Sequence, residues 1–159
     1  KEEYNNPSNN KRYKTYGSRL QNKLTEYCQA GGRLLISGSY LGSDMDTNPT
    51  DRDFTENILK YNFGYSISDK NIQTISGLGP QVTIPRWLNE EVYAVSQPEV
   101  LNATQEGFPA LIYPELNHAA AIAYDGYYKT FVMGFPFESI DTAQNRAQIM
   151  ASILKFLMK

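Results

Sequence analysis

Cysteine, histidine and tryptophan each occur only once in the 159 residues. A single cysteine excludes an internal disulfide, and one cysteine with one histidine excludes a zinc or haem ligand set, so no metal or cofactor is expected. An excess of charge is also missing: 15 Lys and Arg stand against 17 Asp and Glu, a net charge of −2 with a pI near 5.4. That balance exerts no long-range pull on nucleic acid or an anionic membrane. No apolar run approaches the ~20 residues a spanning helix needs, so no membrane insertion is expected. A signal-peptide pattern is absent too, which in a fragment says nothing about export. What is present is a length suited to one domain, burying roughly 70% of its unfolded surface. Twelve tyrosines give it an aromatic, polar character common in exported proteins that handle glycans.

The stretch from Leu20 to Gly42 organises the rest. Leu20, Leu24, Tyr27 and Cys28 recur at i, i+4, i+7 and i+8, which predicts one apolar face of a helix over about Arg19–Ala30. Ser18 and Gln21 have the spacing of a capping box. On that face Cys28 reads as a core residue rather than a reactive thiol. Gly31-Gly32 supplies the left-handed stop. Leu34-Leu35-Ile36 then reads as a strand covered on both faces, as in the interior of a parallel sheet. Ligands collect beyond the C-terminal ends of such strands, so any site should involve Ser37 to Asp46.

Around this stretch, residues 1–14 form a polar tail. After the Gly38–Arg52 loop, Thr50-Asp51-Arg52-Asp53 can cap a second helix with Phe54, Ile58 and Tyr61 on its apolar face and Gly64 at its end. From Tyr65 to Tyr113 the helical period is lost. Short β-rich pieces, Ile72–Ile75, Val82–Ile84 and Val92–Val95, are punctuated by Gly and Pro and predict strands and turns packed on the edge of the main sheet. Ala119–Tyr124 and Tyr127–Phe135 flank Asp125-Gly126, which predicts a two-residue antiparallel hairpin at one side of the sheet. A final helix, with Asp141 as N-cap, carries a stripe of Ala143, Ala147, Met150, Leu154 and Leu157.

The helix, Gly31-Gly32, Leu34-Leu35-Ile36-Ser37-Gly38 and the late Val132-Met133-Gly134-Phe135-Pro136-Phe137-Glu138 before a terminal helix resemble the class I glutamine-amidotransferase-like fold. More narrowly they are similar to a domain of exported bacterial proteins that carry a xanthan lyase label or stand beside cell-wall amidase modules. The matching pieces are Lys14–Tyr16, Leu24–Met45 and Met133–Leu157. The resemblance implies a three-layer, flavodoxin-like α/β domain: a largely parallel sheet, helices on both faces and a C-terminal antiparallel hairpin. It also implies N-terminal βα units that this chain lacks. Residues 1–159 would then be the C-terminal part of one domain, partnered by the missing part or by other domains of its parent protein.

The amidotransferase motif carries over only in part. Its cysteine falls at Tyr40, or at Ser39 with a one-residue shift, its histidine at Pro136, and its glutamate at Glu138. Proline cannot accept a proton and a phenol is a poor acyl acceptor, so no catalytic residue is assigned. Ser39 with the lone His118 and a carboxylate is the alternative, a polysaccharide-active lyase or hydrolase. Asp44-x-Asp46-x-Asn48 copies the start of a calcium loop, but Pro49 and Thr55 occupy its glycine and glutamate positions, so Asx turns are the simpler expectation. Trp87 and Tyr127-Tyr128 are aromatics that can stack on a glycan or pack inward. The expectation is therefore a non-catalytic module of an exported protein linked to polysaccharide or cell-wall processing. Its candidate binding residues are Ser39, Tyr40, Asp44, Asp46, His118 and Glu138.

Overall fold

The computed structural model describes residues 14–87 and 94–159, so the predicted tail up to residue 13 and residues 92–93 of the expected Val92–Val95 strand lie outside the described residues. Helix α1 spans Ser18–Gln29 and is capped by the extended backbone of Gly17. Ser18 is thus the first helical residue and no capping box forms. The Gln21 amide instead donates to the Tyr16 carbonyl (2.8 Å) and the Asp51 carboxylate (2.7 Å). With both amide protons used, Gln21 can be buried beside Cys28, while Leu20 and Tyr27 remain 44% and 48% exposed. The apolar face is rotated from the one the leucine spacing predicts. At the other end Gly31 (φ +83°) donates to Cys28 O (2.8 Å) and Gly32 to Tyr27 O (3.0 Å), the paired bonds of a Schellman stop.

The next strand, β1 (Arg33–Ser37), lies at an edge of the sheet among the described residues. Helix α2 (Pro49–Phe54) and a wide turn over Thr55–Leu59 follow, then β2 (Tyr61–Ser66), β3 (Thr74–Ile75), β4 (Val82–Thr83), β5 (Glu99–Ala103), β6 (Phe108–Tyr113), β7 (His118–Asp125), β8 (Lys129–Met133) and α3 (Ala143–Leu157). The four-stranded sheet has the order β1-β8-β7-β6. Only β1–β8 is parallel; β8–β7 and β7–β6 are antiparallel, in place of the largely parallel sheet expected. The hairpin expected at the side supplies the two central strands, because the unbroken apolar runs of β7 and β8 need cover on both faces. Asp125 pairs with Lys129, so the loop has three residues, Gly126-Tyr127-Tyr128, instead of two.

Alternate residues of β8 face opposite layers. Phe131 and Met133 join Ala121, Ala123, Leu111 and, from α3, Ile149, Ile153 and Leu157. Val132 and Ile122 join Tyr16, Leu41, Met45, Phe54, Leu59, Tyr61 and Leu101, with Leu24, Leu34 and Ile36 packed alongside. The architecture is mixed α/β with helices on both faces of the sheet. Each fully buried large side chain contributes about 1.5–3 kcal/mol.

Three local expectations shift. The cap of α2 is Asn48, which accepts from Asp51 N–H (3.0 Å), and the helical segment ends at Lys60 (φ +66°), which leaves Tyr61 and Gly64 in β2. The cap of α3 is Thr142, accepting from Asn145 N–H (3.0 Å), one residue beyond Asp141. The buried stripe of α3 is Ile149, Ile153 and Leu157, while Ala143, Ala147 and Leu154 face outward.

The middle of the chain packs on the sheet's β6 edge, where Ser76 and Ile112 exchange backbone bonds of 3.0 and 2.9 Å. It is held by the buried Arg86. Its guanidinium donates to the carbonyls of Val95 (3.0 Å), Asp69 (3.0 Å), Ile67 (2.8 Å), Ser96 (3.3 Å) and Ile72.

Candidate functional site

β1 and β8 run parallel and end together, Ser37 beside Met133. Beyond β1 the chain turns sharply at Tyr40, whose φ of 61° is a left-handed value that costs an L-residue roughly 1–2 kcal/mol. Helix-like turns follow at once: Asp44 N–H donates to Tyr40 O (3.3 Å) and Met45 N–H to Gly42 O (3.0 Å). A strand, a strained residue and a helical turn make an elbow of the kind that presents a nucleophile in acyl-transfer enzymes. Here the strained residue presents a phenol that is 45% exposed.

The elbow's inner side is filled by Glu99, fully buried at the start of β5. One carboxylate oxygen accepts from Gly42 N–H (2.6 Å) and the other from Ser43 N–H (2.9 Å). The Glu99 backbone joins the second strand end, donating to Gly134 O (2.8 Å) and accepting from the Tyr113 hydroxyl (3.2 Å). Both glycines have a steric reason. A Cβ on Gly42 would lie 2.7 Å from Phe63, and one on Gly134 would strike the Glu99 carbonyl oxygen. The Tyr61 hydroxyl holds Leu41 O (2.9 Å). Burial pushes the phenols of Tyr61 and Tyr113 upward, with the nearby Glu99 adding to the shift, so both stay protonated donors. Two converging N–H groups form an anion site, and its anion is a side chain of the same molecule.

No protein-family model matches this chain, and no curated protein does.

Of the sequence candidates, Tyr40 sits at the elbow with the half-buried Ser39 just before it. Asp44 is buried and accepts from Thr15 N–H (2.6 Å). Asp46 is exposed, with an ion pair to Arg52 at 3.4 Å. Asn48 caps α2, and Asp51 receives Lys14, Gln21 and Asn48. The acid-rich loop thus clamps the chain entering α1, and among the described residues no cluster of His, Cys, Asp and Glu could hold a metal ion. His118 begins β7 at the same end of the sheet, exposed, with Nδ1 3.1 Å from the Tyr65 hydroxyl and the rings edge to face. Glu138 is exposed on the turn Phe137–Ser139, behind the buried Pro136. The fold therefore gathers Tyr40, His118 and Glu138 at one end of the sheet without joining them by hydrogen bonds.

Cys28 lies in the core, where burial pushes its thiol up to about 11, so it carries no thiolate at neutral pH. Trp87 and Tyr127 are 68% and 76% exposed, while Tyr128 packs on Tyr124. Among the described residues no helix is long and apolar enough to cross a membrane. Glu99 escaped the sequence reading. The only signal was a lone acid heading the apolar pair Val100-Leu101.

Proposed function

We propose that this chain is a non-catalytic, glutamine-amidotransferase-like module of flavodoxin-like descent. It would belong to a larger exported protein linked to polysaccharide or cell-wall processing, with a binding or structural role. The observation that carries this reading is the Glu99 carboxylate on the N–H groups of Gly42 and Ser43. Acyl transfer needs such N–H groups vacant, to receive a developing oxyanion. The strained residue at Tyr40, in the position the resemblance gives the nucleophile, supports descent from an enzyme whose elbow outlived its thiol. The buried Pro136 supports the loss of its base.

The reading also gives β1 a neighbour. The β1 to β8 ladder turns the N–H and C=O groups of Leu34 and Ile36 toward β8 and those of Arg33, Leu35 and Ser37 outward. The Tyr27 hydroxyl binds Arg33 N–H (3.2 Å) and C=O (3.1 Å), and beyond it the edge is open among the described residues. A strand from another part of the parent protein would satisfy it.

The runner-up is a polysaccharide-active enzyme using the Ser39–Asp46 loop and His118. The exposed ring of His118, at the same end of the sheet as Ser39, favours it. Turnover assays with glutamine and with acidic and neutral polysaccharides decide between the two. The module reading expects no product from the wild-type chain. Activity that disappears in Ser39→Ala or His118→Ala would overturn it.

A further inference from the structure

Far along the chain from the elbow, the segment through β4 alternates in exposure. Val82, Ile84 and Arg86 are buried, Thr83 and Trp87 are exposed, and Pro85 is intermediate. In extended backbone this places Thr83, Pro85 and Trp87 on one outward side. A cleft of about 200 Å³ opens there, lined by Gln73, Thr83, Ile84, Pro85 and Asp141. Sites for drug-sized ligands run to roughly 300–1,000 Å³, so this one suits a single ring with its neighbours left outside.

The cleft is rigid. Ile84 N–H donates to Gln73 O (2.9 Å), and Asp141 N–H to Thr83 O (3.0 Å). The Asp141 carboxylate accepts from Thr83 N–H (3.4 Å), the Thr83 hydroxyl (2.8 Å), Thr142 N–H (2.8 Å) and the Asn145 amide (2.8 Å). With two bonds on each oxygen, Asp141 fixes the wall rather than gripping a ligand. The Thr83 hydroxyl gives its proton to Asp141 and so faces a ligand as an acceptor. The exposed Gln73 side chain offers both donors and an acceptor, and among the described residues it has no side-chain partner. Trp87 is steadied from one face: Lys70 Nζ sits 5.6 Å from the ring centroid and donates to Arg86 O (3.1 Å). A large apolar ring is thereby held in place with most of its surface toward solvent.

We propose that this strip binds a neutral glycan, one pyranose stacked on the exposed Trp87 and another, further along the same oligosaccharide, hydrogen-bonded to Gln73 and Thr83. A sugar ring has an apolar C–H face for the indole and a rim of hydroxyls for an amide and a hydroxyl acceptor. Thr83 to Trp87 is on the order of 13 Å of extended chain, the reach of an oligosaccharide rather than one sugar. The negative Asp141 disfavours an acidic sugar in the cleft. The inference rests on the binding-module reading for its biological sense but on the cleft alone for its geometry.

Trp87 is the only tryptophan, so its fluorescence reports on this strip and nowhere else. The whole chain is titrated with cellohexaose, xylohexaose and mannohexaose. At least one should shift the emission saturably and do so unchanged in ~0.5 M salt. By calorimetry, Trp87→Ala should abolish that binding and Gln73→Ala should weaken it about tenfold, both variants keeping the wild-type circular dichroism. An oligogalacturonate should bind about tenfold more weakly than the best neutral sugar. Flat emission with all three neutral sugars, tighter binding of the acidic one, or affinity indifferent to both substitutions would overturn the proposal. A failure here leaves the inert elbow untouched, whereas turnover lost in Ser39→Ala would remove the module reading and leave the cleft standing.

Discussion

Glu99 shows how much one buried side chain can decide. Its carboxylate takes the buried N–H of Gly42 and the part-buried N–H of Ser43, and its backbone ties the end of β8 to β5. Glu99→Ala leaves the buried Gly42 N–H without a partner, costing about 1–3 kcal/mol, and takes the partner of the part-buried Ser43 N–H at a smaller cost. Unfolding in urea should therefore show a loss of about 3 kcal/mol, with a smaller loss for Glu99→Gln, whose amide can accept from only one of the two. If Glu99→Ala unfolds like the wild type, the anion site is not what holds the loop. None of this was legible in Pro98-Glu99-Val100, because an acid before an apolar pair reads equally well as the exposed end of a strand. Only the resemblance pointed to the elbow, at Ser39 with a one-residue shift or else at Tyr40. The left-handed backbone of Tyr40 belongs to the folded chain.

At the scale of elements, α1, β1, the hairpin and α3 were legible in place but not in orientation, while β2 was read as helix and β5 and β6 went unread. The period that predicts α3 is real, yet the face that packs holds Ile149 and Ile153, and Leu154 is 49% exposed. Both stripes share a helical spacing, and only the sheet beneath selects between them. Ile153→Ala should cost about 2–5 kcal/mol in urea unfolding. Leu154→Ala should stay within about 0.5 kcal/mol. Equal costs would mean the helix is rotated from the orientation described. The same ambiguity exchanged β1 and the hairpin: Leu34-Leu35-Ile36 and Phe131-Val132-Met133 are equally apolar, but among the described residues β8 has a strand on both sides and β1 has one. Hydrogen exchange reads this directly. In the chain alone the amides of Leu35 and Ser37 should exchange quickly and those of Leu34 and Ile36 slowly, and a strand docking at β1 should slow the fast pair. Uniform protection along β1 would show that the edge is already covered.

Across the whole molecule, besides Glu99 and Asp44, three further carboxylates fasten segments distant in sequence: Asp51 holds Lys14 and Gln21, Glu115 holds Thr74, and Asp141 holds Thr83. Burial by itself raises each carboxyl, but the hydrogen bonds outweigh it, joined at Asp51 by the Lys14 ammonium, and hold each below its ordinary value of 3.8 for Asp or 4.5 for Glu. A lowered value in the folded chain means stability that is present above the ordinary value and lost as pH falls through the folded one. The urea midpoint should be level with respect to these groups above about pH 5 and drop below about pH 4, with a shallower drop in Asp51→Asn. An acid limb as steep in that variant as in the wild type would remove Asp51 from the account. By itself the sequence determined what depends on near neighbours: a helix stopped by Gly31, a strand at Leu34-Leu35-Ile36 and a hairpin near Asp125. The tertiary structure alone decided which strands are central, which helix faces are buried, and that the elbow's N–H groups meet Glu99. Those outcomes turn on contacts between residues dozens of positions apart, whose energies depend on the burial that assembly creates and that no local pattern records.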